Sequence, residues 1–195
     1  FAKIQTATSD LKWKEPSLEP ISCPSQYPSI QQISAQFTLN QDQHALFCTL
    51  AVKLIGFMCS AVDAEPQQHI TGILAGSPGV GKSRIAKALL HLATSWKHPD
   101  IVKTTAFTNC ASNNVFGQTM HKTFGIGMNG KLKEIDLAAR NELTKPRLYF
   151  FDEVGQTPQS LLGLTSRRLS ETLKLEIMGG VDIILGVDWK QLKPT

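Results

Sequence analysis

No C-x-x-C pair occurs in this chain, and its cysteines, Cys23, Cys48, Cys59 and Cys110, have no nearby histidine at ligand spacing. Neither a zinc site nor a disulfide framework is therefore expected, and reduced thiols in an intracellular protein fit best. There is no N-glycosylation sequon, and the N-terminus lacks the basic start and apolar run of a secretory signal. Aromatics make up only 7% of the residues, so the core must rest largely on aliphatic side chains, which suits an α/β fold. Long apolar runs are also scarce. The one membrane candidate, ALFCTLAVKLIGFMCSAV at 45–62, is about as short as a spanning helix can be and carries Lys53 near its centre. A lysine there costs about 2.5–3.5 kcal/mol on insertion, so a buried helix is expected and no membrane partner. The net charge of +4 is only a mild hint of an anionic partner. The chain begins at Phe1 with no initiator methionine, and a fragment is expected.

What is present divides by composition. Its 195 residues suit one domain with appendages. Residues 1–36 are rich in Ser, Pro and Gln, with Pro16, Pro20, Pro24 and Pro28 evenly spaced, and read as a linker or loosely attached tail. The domain is expected at 37–195. TLNQDQ, from Thr38, reads as a helix start, followed by an apolar helix to about Ala61. HITGILAG (69–76), IVKTTAF (101–107), RLYFFD (147–152) and VDIILG (181–186) read as buried strands. SRIAKALLHLATSW, after the first, places Ile85, Leu89, Leu92 and Trp96 at helical spacing. Strands alternating with crossover segments predict a mostly parallel sheet covered by helices on both faces.

The chemistry starts at GSPGVGKS, 76–83, which satisfies G-x-x-x-x-G-K-[ST]. Such a loop curls so that successive N–H groups point at phosphate oxygens, and the next helix adds its positive end. The candidate nucleotide-binding residues are Gly76, Ser77, Pro78, Gly79, Val80, Gly81, Lys82, Ser83 and Arg84. Lys82 would reach the β- and γ-phosphates and Ser83 would ligate Mg2+. RLYFFDEVGQ, 147–156, ends an apolar strand in two acids: Asp152 for the magnesium shell and Glu153 to polarise water. ILGVDWKQLKPT, 184–195, adds Gln191, a neutral amide able to sense the γ-phosphate. Trp189 reads as packing or as a stacking platform. Arg167 and Arg168, between the acids and this last strand, read as a solvated helix face.

Between the two halves of this P-loop NTPase site lies TTAFTNCASNNVFGQTMHKTFGIG, 104–127, whose one formal charge is Lys122. The succession LNQDQHALF, GSPGVGKS, TTAFTNCASNNVFGQTMHKTFG, FFDEV and GVDWKQLKPT resembles the first RecA-like motor domain of the PIF-type DNA helicases, the superfamily-one group that includes Helitron helicases. In that family the form T-A-x-T-G-x-A-A, then G-x-T-x-H-x-x-F-G, touches single-stranded DNA. Thr105, Ala106, Thr108 and Ala111 fit its first part; Gly117, Thr119, His121, Phe124 and Gly125 fit its second.

The resemblance implies an ATP-dependent DNA helicase that uses Mg2+, acts on single-stranded or forked DNA and travels 5′ to 3′. Its setting would be DNA repair, recombination or telomere maintenance, in the nucleus if the source is eukaryotic. Gln43 takes the position that reads the adenine edge, and Thr108, Asn109 and His121 become DNA contacts, although His121 reads equally as a core histidine bridging two loops. A motor must release its strand at every step, so neutral hydroxyls and amides on phosphates suit it better than many strong charges. Asp188, Gln191, Leu192 and Pro194 fit the family's G-D-x-x-Q-L-x-P element. Val187 and Asn109 stand where glycines are usual, Lys193 where a proline is frequent, and Gly155-Gln156 where Ser-Met is frequent; none removes a phosphate or magnesium ligand. The second RecA-like domain is expected to be missing, and with it the far-side arginine, leaving slow hydrolysis and no unwinding. An AAA+ or loader-type ATPase and a decayed transposon copy that binds without turnover remain alternatives.

Overall fold

In the computed structural model, which describes residues 3–6, 26–59, 69–173 and 177–188, the strands are β1 (Lys3–Thr6), β2 (Thr71–Ala75), β3 (Val102–Ala106), β4 (Gln118–Thr119), β5 (Leu148–Asp152) and β6 (Asp182–Val187). They form one sheet in the order β1-β2-β6-β5-β3-β4. Every neighbouring pair is parallel except β1 with β2. Parallel pairs need long crossovers, which the helices supply: α1 (Ile30–Gln36), α2 (Gln41–Cys59), α3 (Lys82–Ser95), α4 (Asn109–Asn114), α5 (Met120–Thr123), α6 (Leu137–Thr144) and α7 (Gln159–Leu173).

The strand side chains alternate between two apolar cores. Phe150 and Ile184 join Phe47, Leu50 and Leu54 of α2 and Ile85, Leu89 and Leu92 of α3 on one face. Tyr149, Phe151 and Ile183 join Phe124, Leu161 and Leu169 on the other. With neighbours in the sheet and a core on each face, all five residues of β5 are buried, which is why LYFFD carries no polar alternation. The layering is the mostly parallel, doubly covered sheet expected from the alternation of strands and helices, and the α/β P-loop NTPase, RecA-like arrangement that the resemblance implies.

Lys53 finds its partner inside this frame. Its Nζ lies 2.5 Å from Asp182 Oδ1, at the start of β6, with both side chains nearly buried. The same oxygen accepts from Ile70 N at 2.8 Å. One carboxylate thus pins α2 to the strand entering the nucleotide loop, and the charge in the apolar helix serves packing. Among the described residues no helix is long and apolar enough to cross a membrane.

Two expectations need correction. Residues 26–36, assigned by composition to the linker, are part of the domain: Ser29 and Gln32 cap α1 reciprocally, and Ile33 is fully buried. Tyr27 stacks on Trp96 at 4.9 Å, and Trp96 Nε1 donates to Pro28 O at 3.2 Å. A seven-residue helix is too short to show an apolar period among Ser, Pro and Gln. The cysteines also differ: Cys48 Sγ lies 3.3 Å from His44 Nε2, whose Nδ1 meets Ser34 Oγ at 2.6 Å. The two stand one helical turn apart on α2, so a histidine does lie near a cysteine. Burial pushes the Cys48 thiol pKa up, favouring the protonated form. Among the described residues no three metal-ligating groups gather.

Candidate nucleotide site and nucleic-acid face

The loop 76–81 leaves β2 at the carboxyl edge of the sheet, where α/β folds place ligands. Gly76 N donates to Val187 O at 3.1 Å, anchoring the loop to β6. Gly81 has φ +88°, and a Cβ there would stand 2.3 Å from Gln43 Nε2, so only glycine fits. The chain then enters α3, whose first turn leaves N–H groups free of helical partners. Lys82 Nζ donates to Gly76 O at 2.8 Å and Ser77 O at 3.1 Å, lying across the loop it belongs to. Pro78 and Gly79 form its exposed crest.

Ser83, one residue on, donates from Oγ to Asp152 Oδ2 at 2.8 Å. The loop and the acid-bearing strand, 69 residues apart, therefore meet. Asp152 is 3% exposed and accepts from Glu153 N at 3.0 Å. Gly186 of β6 makes room for it, since a Cβ there would come within 2.9 Å of Asp152 Oδ1. Glu153 adopts left-handed backbone, φ 53° and ψ 38°, turning the chain sharply into the 3-10 turn Val154–Gln156. A non-glycine residue in that region stores about 1–3 kcal/mol of strain, which concentrates at functional positions.

Gln43 sits on the other side of the loop. Its backbone N–H donates to Asn40 Oδ1 at 2.9 Å, while Gln43 Oε1 accepts from Asn40 N at 3.0 Å, a reciprocal cap on α2. Gln43 Nε2 donates to Val80 O at 2.7 Å. Its amide is thus engaged at both ends and braces the phosphate loop. Gln43, Val80 and Arg84 line a cleft of about 500 Å³ with Thr38; Arg84 Nη1 meets Thr38 Oγ1 at 3.2 Å.

The register carries the second half of the site to the same edge. Ala106 of β3 is level with Asp152 of β5 and with Thr119 of β4. Thr108 caps α4, accepting from Ala111 N at 3.1 Å, and Asn109 opens that helix exposed to solvent. Thr119 caps α5, which carries His121, and the His121 ring lies 6.0 Å from that of Phe107. That contact joins the Thr108 loop to α5 and leaves the imidazole half-buried. Gly117 lies so close to β3 that a Cβ would sit 2.3 Å from Thr104 O, a physical reason for glycine in G-x-T.

The structure thus brings Ser83, Lys82, Gln43 and Asp152 around one loop, with Glu153, Thr108, Asn109 and His121 on the same rim. Gln191 and Trp189 lie outside the described residues. Sequence reasoning missed Arg168. Arg167 is exposed and pairs with Glu171 at 2.7 Å, as a solvated face requires. Arg168 is 6% exposed and donates to the carbonyls of Phe124, Gly125 and Lys133. The signal was available: Leu161, Thr165, Arg168 and Thr172 recur at helical spacing, so the arginine stands in the buried stripe of α7.

Comparison with known proteins places this geometry among relatives. The sequence model of the PIF1-like helicases matches residues 39–195. The chain is 30% identical over 130 residues to the ATP-dependent DNA helicase Pif1 of Psychrobacter sp., a match covering 63% of this chain and 19% of that relative. It is equally 30% identical over 130 residues to the ATP-dependent DNA helicase RRM3 of Saccharomyces cerevisiae, covering 62% and 18%. Among solved structures, Bacteroides Pif1 bound to ssDNA superposes with a TM-score of 0.59 at 22% identity, over 80% of this chain and 34% of that one. Pif1 helicase from Candida albicans gives 0.61 at 21%, again over 80% and 34%. The chain therefore spans a minor part of each protein it matches.

Proposed function

Since this chain belongs to the PIF1-like helicase family, we propose that residues 37–195 form the first RecA-like motor domain of an ATP-dependent DNA helicase, which couples ATP hydrolysis to travel along single-stranded DNA. The observation that carries this reading is the shared rim: Ala106, which leads into Thr108, is in register with Asp152, which holds Ser83 of the phosphate loop.

Each residue's work follows from its position. The backbone of 76–81 would cradle the phosphates, and Lys82 would exchange the carbonyls of Gly76 and Ser77 for β- and γ-phosphate oxygens. Ser83 and Asp152 offer only oxygen donors, 2.8 Å apart, a set suited to a hard divalent cation. These two would hold Mg2+, which would supply charge neutralisation to the bound phosphates. Glu153 would orient and polarise the attacking water. Gln43 would act on the adenine side chiefly by bracing Val80, and Gln191 would sense the γ-phosphate.

Thr108, Asn109 and His121 would meet the DNA backbone through neutral groups, which hold phosphates without trapping them. Travel would need a second RecA-like domain to close on ATP and reopen after hydrolysis. The relatives that are DNA helicases support an intracellular role, in the nucleus if the source is eukaryotic, and the Pif1 structures with ssDNA and forked DNA support those partners.

Binding of a fluorescent ATP analogue with Mg2+ and of labelled oligothymidylate to the purified chain tests the reading. Both should bind, each altering the other's affinity. Nucleotide binding with no single-strand affinity in any nucleotide state would instead point to a P-loop ATPase of another type.

A further inference from the structure

Arg168 is almost fully buried, yet among the described residues no carboxylate lies within ion-pair distance of it. Its partners are backbone carbonyls: Nε donates to Phe124 O at 2.9 Å, while Nη2 donates to Gly125 O at 3.5 Å and to Lys133 O. Burial disfavours the charged guanidinium, and the nearby charge of Glu171 offsets this only in part, so such a cation is a costly way to fill an apolar stripe that an aliphatic residue would fill better. The guanidinium differs from an aliphatic chain, and from lysine, in its planar fork of fixed donors.

The oxygens it holds all belong to the end of α5 and the segment that returns to it. Ile126 N donates to His121 O at 2.9 Å, and Gly125 has φ +59°, the closing geometry of a helix that ends in a left-handed residue. Lys133 N donates to Gly125 O at 2.8 Å. The chain therefore doubles back on itself, and Arg168 fastens the doubled strand to α7. At the other end of α5, Thr157 Oγ1 lies 3.9 Å from the sulfur of buried Met120. The helix bearing His121 is thus held at both ends by the part of the chain that follows Asp152 and Glu153.

We propose that Arg168 is a positioning residue of the nucleic-acid face: by clamping the carbonyls of Phe124, Gly125 and Lys133 it fixes α5, and with it His121, to the helix that follows the acidic pair. The inference rests on the reading of α5 as part of a DNA-binding face. Any displacement of α7 on nucleotide binding would then be passed to α5 through this clamp, and DNA affinity would respond to the nucleotide. Without the clamp, α5 loses its hydrogen bonds to α7 and keeps the Thr119 cap, the Thr157–Met120 contact and the backbone bonds of its own closing turn.

The test compares Arg168→Met and Arg168→Lys with the wild-type chain. Hydrogen exchange at the amides of Ile126, Gly127 and Lys133 should quicken about tenfold in both variants, with α3 unchanged, since local opening costs less once the clamp is gone. Oligothymidylate affinity should fall about fivefold, nucleotide affinity should hold, and the ratio of DNA affinities with and without an ATP analogue should approach one. Unchanged exchange overturns the clamp whatever DNA does. Faster exchange with wild-type DNA affinity, or full recovery by lysine, overturns the positioning role of the fork. Equal loss of nucleotide and DNA binding means a folding role alone and also overturns it. A wild-type chain that binds no DNA defeats the functional reading and this inference together, whereas intact wild-type binding that ignores Arg168 defeats only the latter.

Discussion

Ser83 and Asp152 share a hydrogen bond of 2.8 Å across 69 residues of sequence, and it joins the phosphate loop to the acidic strand. A hydroxyl and a carboxylate so placed should bind a cation jointly. In Asp152→Asn, nucleotide affinity without magnesium should stay near wild type, while the gain on adding magnesium should shrink by about 1.5–3 kcal/mol. Titrations with and without chelator read both values; a full magnesium response in the variant would remove Asp152 from the metal shell.

Lys82 lies over the carbonyls of Gly76 and Ser77, ready to trade them for phosphate oxygens. Replacement by alanine removes a cation and its charged hydrogen bonds, so affinity for a fluorescent ATP analogue should drop by about 1.5–3 kcal/mol in a chain that keeps its circular dichroism. Undiminished affinity would contradict the phosphate-loop role.

Gly81 faces two constraints at once, its φ of +88° and the 2.3 Å approach to Gln43 Nε2. Gly81→Ala should destabilise the fold by about 1–3 kcal/mol in urea unfolding. In a Gln43→Ala background, itself weakened by loss of the bonds to Asn40 N and Val80 O, the collision is gone but the backbone strain is not, so the added cost of Gly81→Ala should shrink only in part. No added cost in that background would show that the contact, and not the dihedral, sets the loss.

For the nucleic-acid face, the informative pair is Thr108 and His121. Thr108→Ala removes a helix cap worth about 0.5–2 kcal/mol, so stability has to be followed alongside binding. Alanine at both positions should weaken single-stranded DNA binding and leave nucleotide binding intact, while Thr108→Ser, which keeps the hydroxyl, should restore the Thr108 share. Parallel loss of both ligands would mark these residues as structural.

The Lys53–Asp182 pair predicts a loss that a second change repairs. Lys53→Met strands a carboxylate that is 4% exposed and should cost about 3–5 kcal/mol of stability. Adding Asp182→Asn should recover much of it, because an amide still accepts from Ile70 N. Chemical denaturation of the single and double variants decides; additive losses would mean that the two charges act independently.

What the sequence disclosed and what it hid divide along a physical line. Phosphate and metal chemistry ties particular residue types to short contiguous spacings, so GSPGVGKS and FFDEV could be read directly, and strands buried on both faces announce themselves as unbroken apolar runs. Contacts set by distant segments leave no such trace. Arg168 and Phe124 are 44 residues apart, and the partner oxygen is backbone, which has no residue identity to read. Phe116 is similar: it adopts φ +53° and is 76% exposed, beside Lys87 at 5.2 Å from its ring, and nothing in VFGQ announces that. The Pro- and Ser-rich start misled because composition averages over a segment in which one short helix with one buried face was enough to dock.

The antiparallel pairing of β1 with β2, from Lys3↔Ala75 to Thr6↔Gly72, has a bearing on solubility. β2 has β6 on one side, and on the other its peptide groups would stand bare, a template for any extended chain that drifted past. Four residues from the far N-terminal end of the chain occupy that margin, while the opposite margin is blunted by the brevity of β4, two residues long. The family match begins at residue 39, so trimming to that boundary would remove both β1 and α1. A chain cut there would retain every phosphate-loop residue, yet would expose a sticky border and favour edge-to-edge clumping over a dispersed monomer.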